Sequence, residues 1–222
     1  MILYLYALAD RVDSLDAIAG VGDEPLLQID AGGSRLIAGW LAAPPPIERA
    51  TLEAQDRVIR ALHECAGALL PMRFGTAVDD VDAAVRAVSI VARTLPERLD
   101  LVRGREQMTV RVLRAAGSSR RSSPEITERA EADTTGAAYL RSRAIRDVPP
   151  ELAPLLDATR AIARATRVER SEHAAVVGTV YQLIDRGQSA EYGDLVEGAD
   201  EMMPGLSVRV SGPSPAYAFA RE

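Results

Sequence analysis

Met108-Thr-Val-Arg-Val-Leu113 alternates along the chain like a half-buried strand, and the order of segments after it decides the architecture of the second half. Ala116-Gly-Ser-Ser-Arg-Arg-Ser-Ser-Pro124 is a polar, turn-rich break, and its Gly117 to Ser123 stretch has too little apolar surface to offset the entropy of ordering it, which predicts a flexible loop. Helical sequence then runs from Pro124 to about Arg146, stops at Pro149-Pro150, and resumes through Leu152, Leu155, Leu156, Ile162 and Ala163. Val168 to Glu172 and Ala174 to Ile184 read as a strand pair, Ser189 to Ala199 as a helix and Leu206 to Ser211 as a closing strand.

This order, β-α(α)-β-β-α-β, is the split βαβ pattern of a ferredoxin-like sheet with two helices on one face. The break between halves falls near Glu106. The expected fold is α+β with two domains: an N-terminal α+β domain over residues 1–105, and a C-terminal modified ferredoxin-like domain over 106–222 that carries extra helices.

In the first half, Met1-Ile-Leu-Tyr-Leu-Tyr-Ala-Leu-Ala-Asp10 is apolar but lacks the basic start of a signal peptide. It meets Asp10 well before the ~20 apolar residues of a membrane helix. It predicts a buried first strand. Pro25 to Ile29 and Arg35 to Leu41 flank Asp30-Ala-Gly-Gly-Ser34, a hairpin signal; no phosphate-loop Lys-Ser/Thr follows the glycines. Ile47, Ala50, Ala54, Val58, Ala61, Leu62 and Cys65 recur at helical spacing, which predicts one buried face that includes Cys65. Asp79 or Asp80 caps a second helix with Val81, Ala84, Val85, Val88, Val91 and Leu95 as its stripe and Pro96 near its end. Leu69 to Thr76, between the two helices, reads as a strand or extended linker.

Composition narrows the function. A chain of 222 residues, 47% hydrophobic and 26% charged, folds as a globular protein. Its net charge of -6, with 26 basic residues that are all Arg and are scattered among 32 acids, argues against nucleic acid as a partner. The single Cys65 excludes an internal disulfide and suits a reducing, cytoplasmic setting. His63 and His173 have no ligand partners at metal-site spacing, and no Gly-x-Ser-x-Gly elbow, Walker loop or dinucleotide fingerprint is present. No catalytic residue, metal or cofactor is therefore assigned, and the expectation is a protein without enzymatic turnover.

Two segments carry more specification than ordinary packing needs. Leu70-Pro-Met-Arg-Phe-Gly-Thr76 sets Arg73 in an apolar run. The favoured reading is a buried Arg73 paired with an acid and tying the two helices together; the other is a protein contact, since Arg, Met and aromatic residues are enriched in interface cores. Val210-Ser-Gly-Pro-Ser-Pro-Ala-Tyr-Ala-Phe219 ends its strand at Gly212, Pro213 and Pro215 and extends Tyr217 and Phe219 in a tail. With only 4% aromatic residues overall, those rings either pack on their own domain or dock a partner. Arg73, Phe74, Tyr217 and Phe219 are the candidate protein-contact residues.

The same segments, with Tyr4-Leu-Tyr6, Glu106 before its strand and Tyr139-Leu140-Arg141, resemble the GvpL/GvpF family of gas vesicle proteins across nearly the whole chain. Leu70 to Thr76 matches the family's Leu-Pro-Met-Arg-Phe-Gly-Thr run, and Ser211-Gly-Pro-Ser-Pro-Ala-Tyr-Ala-Phe219 is similar to its Thr-Gly-Pro-Trp-Pro-Pro-Tyr-Ser-Phe ending, departing at Ser214, Ala216 and Ala218. The resemblance implies a non-catalytic accessory protein of gas vesicle formation that binds the small hydrophobic shell protein and other accessory proteins, without nucleic acid or membrane as a partner. The competing class is a ligand-binding or enzymatic ferredoxin-like module, because that fold hosts many activities.

Overall fold

The computed structural model describes residues 1–114 and 148–220 and has a mixed α+β architecture built on two antiparallel sheets. The turn-rich break and the helix expected over 124–146 lie outside the described residues. The first sheet contains β1 (Ile2–Ala9), β2 (Leu26–Asp30), β3 (Arg35–Leu41), β4 (Leu69–Pro71) and β5 (Ala77–Val78), in the order β2-β3-β1-β4 with β5 also paired to β1. The hairpin between β2 and β3 turns at Gly32 and Gly33, both at positive φ.

β1 is buried from Leu3 to Ala9 because both faces of the sheet are covered. Tyr4 and Tyr6 pack with Val58, Ile59 and Leu62 of α1 (Arg49–Cys65). Leu3, Leu5 and Leu8 pack with Ala84 and Val88 of α2 (Val81–Val91) and Leu95, Leu99 and Val102 of α3 (Leu95–Val102). A bulge falls where the register steps from Leu5↔Ala38 to Ala7↔Ile37. It leaves Tyr6 and Ala7, although consecutive, in the same α1-side cluster.

Two helices differ from the sequence reading. α1 buries Gln55, Val58, Ile59 and Leu62, so its inward face is rotated from the expected stripe; Ile47 precedes the helix and is 85% exposed, and Cys65 is half-buried. The rotation brings the Gln55 amide to the buried Tyr4 hydroxyl, which needs a partner. The expected single helix from Val81 to Leu95 is two. Pro96 lies in the first turn of α3, where a missing N–H costs no helical hydrogen bond, and so starts a helix instead of ending one. Asp80 caps α2 as expected, accepting from the Ala83 N–H at 2.7 Å.

The second sheet contains β6 (Arg105–Arg114), β7 (Ala165–Glu169), β8 (Val176–Asp185) and β9 (Leu206–Ser214) in the order β7-β8-β6-β9, every neighbour antiparallel. α4 (Ala153–Thr159), entered through a 3-10 turn at Pro150–Leu152, and α5 (Ser189–Glu201) close one cluster with Met108, Val110, Val112, Val180 and Ile184. Within it, Tyr192 donates to Gln182 at 2.6 Å and Gln182 donates to Thr159 at 2.9 Å, so the buried polar groups satisfy one another. β7 begins earlier than expected, and α4 ends at Thr159 instead of continuing to Ala163.

β9 also outruns its expected end at Ser211. Pairing resumes at Ser214 opposite Gln107 after a register shift that leaves Gly212 and Pro213 without ladder partners, and Gly212, at φ 127°, lets this stretch lie against β6. A Cβ there would stand 2.8 Å from the Gln107 carbonyl oxygen and 2.9 Å from Met108 Sδ. Gly212→Ala is therefore expected to lower stability by about 1–3 kcal/mol, the usual range for forced overpacking, seen as a reduced denaturant midpoint.

The two sheets share part of a core: Leu183 of β8 and Ala216 of the tail lie in the first sheet's cluster. Polar bonds reinforce the seam. Arg186 N–H donates to Gly104 O at 3.1 Å, and Arg186 Nη2 donates to His63 O at 2.7 Å and to Ala66 O at 3.2 Å, capping the C-terminal carbonyls of α1. Burial first, then the charges of Arg186 and Arg60, push the His63 pKa from 6.5 down to about 4. As pH falls through that window the unfolded chain takes up a proton on His63 that the folded chain refuses, so stability present in full above 6.5 declines toward about 4. Denaturant midpoints of wild type and His63→Gln followed across this window should show the steeper loss in wild type.

Candidate protein-contact groove

The groove is built from β1 outward. Tyr4 is fully buried, donates its hydroxyl proton to Gln55 Oε1 and accepts from the Gly75 N–H at 2.9 Å. Its neighbours fix the rest of the run: Met72 N–H donates to Tyr6 O at 2.8 Å and Leu5 N–H to Thr76 O at 2.9 Å. Between these anchors the chain reverses, with Thr76 N–H donating to Arg73 O at 3.1 Å, Thr76 Oγ1 donating to the same oxygen at 2.7 Å, and Gly75 at φ 83°. A side chain at Gly75 would be strained, which explains the glycine between Phe74 and Thr76. Leu69, Leu70 and Pro71 stay buried in β4, while the turn carries Arg73 outward and lays Phe74 edge-on to Tyr4, ring centroids 6.4 Å apart.

Arg73 is thus exposed, and it forms no ion pair with any other described residue. The buried structural pair expected from its apolar neighbours is not formed. Those neighbours anchor the turn, and the turn itself points the guanidinium to solvent.

Opposite the turn, α1 contributes Leu52 and Asp56, and the tail contributes a 3-10 turn at Tyr217–Phe219. Together with Ile47, Met72 and Phe74 they enclose an open groove of about 700 Å³. Tyr217 donates to Asp56 Oδ1 at 2.7 Å while Arg60 Nε donates to Asp56 Oδ2 at 2.6 Å. Burial would raise the Asp56 pKa, but the bonds from Arg60 and Tyr217 prevail and hold it below the usual carboxyl range; burial and Asp56 raise that of Tyr217. Arg73, Phe74 and Tyr217 therefore meet around one groove.

Phe219 is placed apart from them, half-buried against the first sheet's cluster with Leu183 and Ala216. The tail as a whole packs: Pro215, Ala216 and Ala218 are buried, and Ala218 N–H donates to Gln107 Oε1 at 2.8 Å. Arg167 and Arg98 donate to the carbonyls of Ala218 and Ala220 at 3.0 and 2.7 Å. The sequence reading overlooked Leu52, 44% exposed, and assigned Ile47 to the buried stripe. Leu52 stands on the Gln55-Ile59-Leu62 stripe one turn nearer the N-terminus of α1, where that stripe reaches the groove.

Most of the groove is apolar, and its ionisable groups are Asp56, Arg73 and Tyr217. Cys65 lies outside the groove, its thiol pKa raised chiefly by burial. Among the described residues no cluster of three or more His, Cys, Asp or Glu could hold a metal ion, and no helix is long and apolar enough to cross a membrane.

The structure is that of a two-sheet α+β protein with an apolar groove, and its family is defined by sequence over its whole length. The chain belongs to the GvpL/GvpF family of gas vesicle synthesis proteins, whose family model matches residues 2–221. It is 30% identical over 254 aligned positions to gas vesicle protein L of Streptomyces sp. (strain CB03234), covering 98% of this chain and 92% of that protein. The same fold occurs in the crystal structure of GvpF from Anabaena sp. PCC7120, with a TM-score of 0.75 at 17% identity over 100% of this chain and 96% of that one. GvpF from Microcystis aeruginosa matches equally, with a TM-score of 0.75 at 15% identity over 100% and 99% of the two chains.

Because Arg73 makes no buried pair, Arg73→Ala is expected to move the unfolding free energy by no more than about 0.5 kcal/mol, the usual span for an exposed substitution. Equilibrium denaturation of the two proteins checks this.

Proposed function

We propose that the chain is a non-catalytic accessory protein of gas vesicle formation, acting in the cytoplasm and at the vesicle, and that its groove binds the small hydrophobic shell protein in concert with other accessory proteins. The observation that supports this most directly is the apolar groove beside Ile47, Leu52, Met72 and Phe74, with Arg73 exposed at its edge. A subunit that polymerises through apolar surface needs a soluble partner to cover or orient that surface before growth, and the driving force for both steps is the same burial of apolar area.

We further propose that residues 1–105 and 106–222 are two domains, the second a modified ferredoxin-like unit. In favour are the antiparallel order β7-β8-β6-β9, which places β6 and β8 centrally, and the packing of α4 and α5 in one cluster with the sheet.

Deletion of the gene in a vesicle-forming host without a paralogue should abolish or deform vesicles by buoyancy and electron microscopy; vesicles normal in number and shape would contradict the role. In purified protein, Phe74→Ala and Leu52→Asp should each weaken shell-protein capture at least about tenfold, as removal of an interface anchor does, with little change in the melting midpoint. Undiminished capture by both variants would place the contact elsewhere.

A further inference from the structure

β9 ends the second sheet: it pairs with β6 on one side, and among the described residues no strand pairs with its other edge. From Ser207 to Ser211 every residue is exposed except the half-buried Val208. The backbone N–H and C=O groups that point away from β6 are therefore open to an added strand. Alternation divides the side chains of β9 between two faces. Val208 and Val210 lie opposite Val112 and Val110, on the face that α4 and α5 close. Val208 packs into that cluster, but Val210 is 42% exposed, so the apolar face is not covered out to its edge.

The opposite face is charged. A row of Glu169, Thr179, Arg111 and Arg209 crosses all four strands, with Arg111 directly opposite Arg209. Like charges paired in this way repel, and an acid beside them would relieve the repulsion. The acid of the row is already engaged: Glu169 Oε2 accepts from the Tyr181 hydroxyl at 3.1 Å, and Oε1 stands 3.7 Å from Arg167 Nε. Arg111 and Arg209 are exposed and form no ion pair with any described residue. In a chain of net charge -6, two adjacent guanidiniums thus stand without a counter-charge beside an open strand edge.

We propose that β9 takes up an extended acidic segment of a partner polypeptide as an added strand of this four-stranded sheet. The segment's backbone pairs with β9, its apolar side chains cover Val210, and its carboxylates bind Arg209 and Arg111. Successive side chains of an added strand fall on the same two faces, so the partner's pattern is alternating apolar and acidic residues. Arginine suits the charged face because its planar fork binds a carboxylate through two parallel hydrogen bonds. A second copy of this chain, joined through the same edge, would bring another Arg209 to a face that already lacks acid, so charge disfavours self-pairing. The edge shares no residue with the groove, and the proposal is independent of what the groove binds.

The probe is a blocked octapeptide of alternating valine and glutamate, added to the ¹⁵N-labelled full-length protein and followed by amide spectra and hydrogen exchange. Saturable shifts are expected along β9 and β6, with slowed exchange at alternate amides of β9. A valine–lysine octapeptide and an octaglutamate should each bind at least about tenfold more weakly, the first lacking the carboxylates and the second the apolar face. The double variant Arg111→Glu/Arg209→Glu should reverse the preference, losing the glutamate peptide and gaining the lysine one. No saturable shift in β9, equal binding of either control peptide, or an unchanged preference in the double variant overturns the proposal. So does a concentration-dependent shift of β9 without peptide, which would make a second copy the occupant. Should the double variant unfold, Arg209→Gln decides: weakened binding of the glutamate peptide supports the site, and undiminished binding refutes it.

Discussion

Two phenol hydroxyls buried in the middle strand of the first sheet constrain everything around them. Tyr4 and Tyr6 have no solvent exposure, and their rings meet edge to face with centroids 5.1 Å apart. A buried hydroxyl without a partner costs about 1–3 kcal/mol, so each must find a donor and an acceptor inside the protein. Tyr4 takes its acceptor from Gln55 and its donor from Gly75; Tyr6 takes Glu24 and the Val21 N–H, the latter at 2.8 Å. The first pair sets the rotation of α1 and holds the 72–76 turn. The second draws the Glu24 carboxyl under β3, where Gly20 and Gly39 leave it room: a Cβ at Gly20 would collide with that carboxyl outright, and one at Gly39 would come within 2.7 Å of its Oε1. A groove wall, a helix face and a loop thus descend from one strand.

The arginines show a second constraint. Their abundance without a single Lys reads in sequence as a compositional bias, and their scatter argues against a basic stripe. In the structure several bind backbone oxygens: Arg60 to Pro213 at 3.2 Å, Arg98 to Ala220, and Arg186 to His63 and Ala66 across the seam, and Arg167 to Ala218 within the second half. A guanidinium has five N–H donors on a rigid plane and can satisfy a carbonyl while also pairing with a carboxylate, as Arg60 does with Asp56. Helix ends and an irregular tail both leave unpaired carbonyls, and arginine reaches them from the neighbouring half.

Local signals in the sequence were sound where one interaction decides the outcome. The unbroken apolar run of β1, the glycine turn after Asp30, the alternation after Gln107 and the Asp80 cap all correspond to observed elements. Failures occurred where a tertiary contact outvotes a local pattern. Small alanines at helical spacing suggested a face for α1 that shares Val58 and Leu62 with the buried one but is rotated from it, because the Gln55 bond to Tyr4 cannot be seen along the chain. Pro96 stops one helix and starts the next with equal local propriety, and only the burial of Leu99 and Val102 distinguishes them. For the contact residues, Arg73 looked buried by association with its neighbours, yet sequence cannot show that the chain reverses between Met72 and Thr76. The grouping of Phe74 with Tyr217, separated by more than half the chain, depends on a tail that folds back onto the first sheet.

That tail also relates the groove to the seam. Asp56 and Arg60, one helical turn apart on α1, form an ion pair whose outer contacts differ: Asp56 receives Tyr217 at the groove, and Arg60 reaches the Pro213 carbonyl at the seam. Between these two points the chain passes through Pro215 and Ala216, both buried, and just past Tyr217 the buried Ala218 is bonded to Gln107 of β6. Two prolines and these fixed bonds leave the segment few alternative conformations. A partner that displaces Tyr217 must therefore either break its bond to Asp56 or shift a stretch anchored in both sheets. Seating against Tyr217 without moving it is the lower-energy course, which makes the tail a rigid wall of the groove.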